Sequence, residues 1–138
     1  MPELKLSTLL PAAAEVVWSI IGDFAGLAQW HPLVPNCRPG DDGLSRIISL
    51  RRMDVVEVLI PGQSPPMGHT YTIRASPMPI TDYRATLQVV DEGGKARLSY
   101  HGHFTPLGVS EAQAAGMLRG FFEAGFSALQ ARLDKDET

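Results

Sequence analysis

A single cysteine, Cys37, stands in 138 residues, so no internal disulfide can form and the fold must rest on its core. A lone thiol suits a reducing compartment, and a cytoplasmic location is the expectation. Cys37 itself reads as a small packed side chain. Basic runs are missing as well. Lys and Arg total 12 against 15 Asp and Glu, a formal charge of −3, and Arg51-Arg52 is the one basic pair. A nucleic-acid surface is therefore not expected. No apolar run reaches the ~20 residues of a membrane-spanning helix. The opening MPELKLSTLLPAAAE puts an acid and a proline where a secretory leader needs an unbroken apolar stretch. Stable membrane insertion is not expected either. There is no Gly-rich loop between a strand and a helix to hold phosphates, and no cofactor is implied. His101-Gly-His103 comes nearest to a metal spacing, with two imidazoles on one strand face. No acidic or cysteine partner is evident beside them, so they read as exposed strand histidines and no metal is expected.

What remains is an ordinary soluble composition, 44 % apolar and 20 % charged, long enough for one domain over 1–138. Residues 3–10 alternate as a strand. Pro11 opens a helical stretch, AAAEVVWSIIG, which Gly22 can end, and Phe24 to Gln29 form a further turn. VPNCRPGDDG is extended. Strand patterns follow at 44–51, 54–60, 69–76, 82–91 and 95–105, separated by RRMD, PGQSPPMG, SPMPIT and DEGGK. Ser110 and Gln113 form a capping box, and helical periodicity runs on through Met117, Phe121, Gly125 and Leu133. The expected class is α+β: an antiparallel meander of about seven strands in the order β-α-α-β(5–6)-α, with one long C-terminal helix covering the apolar face of the sheet.

Pairing follows from the turns. A two-residue Gly93-Gly94 loop sets Val89 opposite Leu98, Leu87 opposite Tyr100, Ala85 opposite Gly102 and Tyr83 opposite Phe104, all inward. A two-residue Arg52-Met53 loop sets Leu50 opposite Val55, Ile48 opposite Glu57 and Arg46 opposite Leu59. Glu57 and Arg46 then lie diagonally on the inner face as an interior ion pair. A strand shifted by one residue would expose Glu57 and bury Val56, Val58 and Ile60 instead. The first register continues the face of Ile48 and Leu50. Meander parity gathers RRMD, SPMPIT and TPLGVS at one end, where Met78 and Ile80 form an apolar rim.

The pieces VWSIIGDFAGLAQWHP, RIISL with VVEVLI, HTYTIRASPMPITDYRATLQV, RLSYHGHF and GFFEAGFSALQARL occur in the order found in one known group. The chain resembles the START-like, or helix-grip, superfamily, in particular its polyketide cyclase/dehydrase-type branch. The resemblance implies a curved sheet wrapped around the C-terminal helix, with a cavity for a small apolar molecule between them. It also implies that His31, Glu57, Tyr83, Met117, Phe121 and Gly125 point into that cavity. The turn RRMD departs from the glycine-containing turn that relatives often carry. The helix also holds Gly116 and Gly120, for which room and close packing are both open readings.

Trp30, His31 and Pro32 then make sense together: Trp30 as an anchor, His31 as a polar point, Pro32 fixing the exit. The expected lining adds Arg46, Tyr71, Ile73, Met78, Ile80 and Tyr100. Such a site binds a lipid- or polyketide-like molecule. The alternative is a cyclase or dehydratase in which His31, Glu57 and Arg46 are the candidate catalytic groups, since aldol closure needs a base and an oxyanion donor. A protein-interaction module on the same fold, or a homodimer, is compatible with the chain but has no feature of its own.

Overall fold

The computed structural model describes residues 2–136 and shows a seven-stranded, wholly antiparallel sheet with three helical segments. In chain order these are β1 (Glu3–Leu10), α1 (Ala14–Ile21), a 3₁₀ segment (Phe24–Gln29), β2 (Asn36–Pro39), β3 (Ser45–Ser49) and β4 (Asp54–Leu59). They are followed by β5 (Gly68–Ala75), β6 (Ile80–Glu92), β7 (Lys95–Pro106) and α2 (Glu111–Asp136). The sheet order is β1-β7-β6-β5-β4-β3-β2. All connections are hairpins except the passage from β1, through α1 and the 3₁₀ segment, to β2 at the far edge. The expected class is the one observed.

Local chemistry explains most boundaries. Ser110 Oγ accepts from Gln113 N–H at 3.1 Å, and Gln113 Oε1 accepts from Ser110 N–H at 2.9 Å, the reciprocal capping box that starts α2. Gly93 and Gly94 have φ of 63° and 86°, the two positive values that a tight β6–β7 hairpin demands. The Pro11 expectation needs adjustment. β1 runs to Leu10, and α1 starts only at Ala14, behind an Ala13 cap with no side-chain hydrogen bond.

The β6–β7 pairing of Val89, Leu87 and Ala85 is as expected, but the register shifts between Thr81 and Arg84. Two residues, Asp82 and Tyr83, therefore stand opposite Phe104, and Asp82 takes a positive φ of 51°. An extra residue reverses the face of everything before it. Ile80, expected on the rim, turns into the core and is 8 % exposed.

α2 packs along β1 and β7, while α1 and the 3₁₀ segment cover β6, β7, β2 and β3. The loop after the 3₁₀ segment is pinned to α2 by His31. Its Nε2–H donates to the Phe121 carbonyl at 2.7 Å, and its Nδ1 accepts from Leu33 N–H at 3.1 Å. The imidazole also stacks on Phe121, with ring centroids 4.0 Å apart. This approach needs Gly125. A Cβ there would lie 2.8 Å from His31 Cδ2 and 3.0 Å from Trp30 Cζ3, whereas one on Gly116 or Gly120 would meet nothing within 4 Å. Gly125→Ala should thus overpack a buried contact and lose about 1–3 kcal/mol. Gly116→Ala and Gly120→Ala should each gain up to about 1 kcal/mol from helix propensity. Urea unfolding of the three variants checks the opposite signs.

Candidate functional site

The site is built around a buried charge pair. Arg46 on β3 and Glu57 on β4 face each other directly, rather than diagonally, and are 7 % and 6 % exposed. The turn causes the difference. It spans four residues, Leu50 to Met53, closed by Leu50 N–H donating to the Met53 carbonyl at 2.8 Å. Relative to a two-residue loop this slides the strands by two positions, and a slide of two preserves which faces point inward. Arg46 Nε and Nη2 both donate to Glu57 Oε1, at 2.9 and 2.6 Å, and Nη1 donates to the Phe24 carbonyl at 2.8 Å. The guanidinium lies 4.0 Å over the Phe24 ring and 5.1 Å from the Tyr71 ring. Burial opposes the arginine charge, but Glu57 and Tyr71 more than offset it, and its pKa ends above the ordinary value.

Beside the pair, the Tyr83 and Tyr100 hydroxyls share a hydrogen bond of 2.6 Å. Tyr100 stacks on Phe122 at 3.8 Å and lies back across Gly102, where any Cβ would collide with its hydroxyl. Burial, first, and neighbouring negative charge hold Tyr71 and Tyr83 well above the usual phenol range, and burial does the same to Tyr100. These hydroxyls are proton donors at neutral pH, not bases.

In front of the charges opens a cleft of about 390 Å³. Its sheet wall is Ile48, Leu50, Met53, Val55, Glu57, Met78 and Tyr83; its helix wall is Gly116, Met117, Leu118, Gly120, Phe121 and Phe122, with Leu33 at the side. Glu57 and Tyr83 are the polar side chains in it, and none of the lining residues is a histidine. Of the expected lining, Glu57, Met78, Tyr83, Met117 and Phe121 lie on this cleft. Trp30, Arg46 and Tyr71 lie behind, around an enclosed void of about 20 Å³ that Glu57 and Phe121 also touch. Tyr100 supports Tyr83 from the rear, and Ile73 packs against the core edge. His31 has both nitrogens committed, and Gly125 makes room for His31 and Trp30 rather than for the cleft. Sequence reasoning missed Leu33, Ile48, Leu50, Met53, Val55, Leu118 and Phe122. Gly116 and Gly120 are open to either reading in sequence, although the four-residue steps Gly116–Gly120 and Met117–Phe121 and the three-residue step Met117–Gly120 set all four on adjoining positions of one helix.

With that geometry in view, comparison with known proteins is informative. Residues 1–134 match the family described as polyketide cyclase / dehydrase and lipid transport. The chain belongs to this family. Among solved structures, XoxI from Bacillus cereus superposes with a TM-score of 0.90, covering 100 % of this chain and 99 % of that one at 28 % identity. A START superfamily protein from Mycobacterium smegmatis superposes at 0.78, covering 96 % and 97 % of the two chains at 16 % identity. The di-domain ARO/CYC BexL of the BE-7585A biosynthetic pathway gives 0.75 at 14 % identity, covering 97 % of this chain and 47 % of that one. At such identities the last two speak for the fold alone. No curated protein matches the sequence.

For this member of the polyketide cyclase/dehydrase and lipid transport family, the charge pair gives a direct test. Glu57→Gln strands a buried guanidinium and should lose about 3–5 kcal/mol, whereas Arg46→Met combined with Glu57→Leu should recover most of it. Equal urea midpoints for the single and double variants would show that the two residues are not coupled.

A further titratable group, His69, lines the small void. His69 packs at a tilt against Trp18 and Phe24, with ring centroids 5.0 and 5.2 Å away. Its Nε2 is the one buried side-chain polar atom without a partner among the described residues. Burial and the Arg46 charge lower its pKa from 6.5 to about 4, against a smaller opposing pull from the Gly22 and Ile21 carbonyls. His31 is lowered too, first by burial. Between those pH values the unfolded chain takes up protons that the folded one refuses. Stability is therefore complete above pH 6.5 and falls as the pH drops toward 4. His69 contributes at most about 3 kcal/mol of this fall. His69→Phe should flatten melting temperature against pH over that window; an unchanged slope would place the titration elsewhere.

Proposed function

We propose that the chain binds a small, elongated, mostly apolar molecule carrying a hydroxyl or similar group, of the lipid or polyketide kind. The ligand would lie between the sheet and the first half of α2. The observation that carries this reading is the cleft itself: apolar side chains and two helix glycines on its walls, with Glu57 and Tyr83 in its lining. Its volume of about 390 Å³ falls within the ~300–1,000 Å³ typical of small-molecule sites. The two Arg46 bonds to Glu57 both land on Oε1, so Oε2 is left to accept from a ligand hydroxyl. The Tyr83 hydroxyl, already tied to Tyr100, offers a second polar contact.

The family description and this same pair support a second reading, a cyclisation or dehydration. Glu57 Oε2 would take a proton from an acidic carbon while Tyr83 donates to the developing oxyanion. Binding is the stronger reading because the Tyr83 hydroxyl is tied to Tyr100 and Glu57 is already the counter-charge of Arg46. A catalytic His31 would need its two hydrogen bonds released.

Native mass spectrometry of the purified chain should show a retained apolar molecule, and an environment-sensitive apolar dye should bind and be displaced by fatty acids or aromatic polyketides. Gly120→Leu fills the cleft from its helix wall, and should reduce dye affinity by at least about tenfold without lowering the melting temperature. Unchanged affinity in that folded variant would remove the cleft from consideration. Conversion of any polyketide to a cyclised or dehydrated product would favour the catalytic reading.

A further inference from the structure

The register of β1 against β7 assembles something that neither strand displays alone. Glu3 pairs directly with His103, and Lys5 with His101, on the sheet face opposite the core. His101 Nε2 lies 3.0 Å from Glu3 Oε2, and His103 Nδ1 lies 3.6 Å from the same oxygen. The two imidazole rings stand 4.6 Å apart, centroid to centroid. One donor atom from each of the three side chains falls within 4.8 Å of the others. The side chains are 39–46 % exposed, open to an ion from solvent.

We propose that Glu3, His101 and His103 form a binding site for a divalent transition-metal ion of the zinc class on the outer face of the sheet. Three donors each about 2.0–2.2 Å from a tetrahedral ion lie ~3.3–3.5 Å from one another. The 3.0 and 3.6 Å separations bracket that span. The wider His101–His103 gap closes by rotation of exposed side chains about their χ angles. Two imidazole nitrogens and one carboxylate oxygen suit zinc, cobalt, nickel or copper rather than magnesium or calcium, and water completes the coordination. Two neighbouring cations shape the site without blocking it. Lys5 Nζ is 3.9 Å from Glu3 Oε1, the oxygen that neither histidine engages. Arg84, opposite His103 on β6, is turned to Gln63 Oε1 at 3.1 Å. Thr86, opposite His101, is the remaining cross-strand neighbour. Because its ligands come from two strands, the ion would clip β1 to β7.

The test uses the full chain without a histidine tag. Titration with Co²⁺ alone should give visible d–d absorption saturating at one equivalent, and Zn²⁺ should abolish it. Zn²⁺ should also raise the melting temperature, and EDTA should reverse the rise, because an ion bound only to the folded state stabilises it. His101→Ala, His103→Ala and Glu3→Gln should each weaken binding about tenfold or more and abolish the thermal shift. Thr86→Ala should leave both intact. All four positions lie in strands with outward-facing side chains, and circular dichroism confirms that the variants are folded. Absence of saturable binding up to millimolar Co²⁺, or binding that survives the three ligand substitutions, overturns the proposal.

Discussion

Everything around the cleft is arranged to keep one guanidinium charged without water. Arg46 is enclosed by Glu57 across the strand pair, the Phe24 carbonyl above it and two aromatic faces. An arginine so placed cannot lose its proton, so its surroundings must supply counter-charge and acceptors or the strands separate. The short 3₁₀ segment, which is broken at Gly26, is held over β3 in part by the bond from Arg46 to Phe24. The same lack of water that strengthens the ion pair also suppresses ionisation of the three tyrosines around it. A polar cluster at the back and an apolar channel in front follow from this one constraint.

The helix that closes the channel is defined at two points. Its N-terminus is set by the Ser110–Gln113 box, and its middle is fastened to the Trp30-His31 loop through the Phe121 carbonyl. Between these two points lie Gly116 and Gly120, with no side chain to meet the sheet. The open part of the interface is therefore bounded by two fixed ends.

Much of this could be read from residue order, and the parts that could not share a physical cause. Element types followed from periodicity, and the inner faces of β3 and β4 followed from parity, so Arg46 and Glu57 were seen as interior partners. A turn of four residues instead of two preserved that parity, which is why the ion pair survived an error in register. The bulge at Asp82-Tyr83 did not preserve parity, and nothing in DYR marks an extra residue; Ile80 moved accordingly from rim to core. His31 stood out as unusual, yet whether its nitrogens faced a ligand or a helix carbonyl depended on a contact 90 residues away in the chain. The same applies to Glu3, whose position opposite His103 is set by pairing between the first strand and the last. The three helix glycines look alike in sequence. Only tertiary packing distinguishes Gly125, filled by an imidazole and an indole, from Gly116 and Gly120, which face open space.

Those two glycines set helix stability and cleft volume at odds. Larger residues other than proline at either position would strengthen the helix and shrink the cleft in the same step, so helix stability and cleft volume change in opposite directions along a single mutational path. Retaining glycine there keeps the chain away from its own stability optimum. The volume of the cleft can be tuned one methyl group at a time from this wall, leaving the charged cluster behind it untouched. Substitution there is the route by which the cleft would close, since a Cβ added at either position meets no atom within 4 Å.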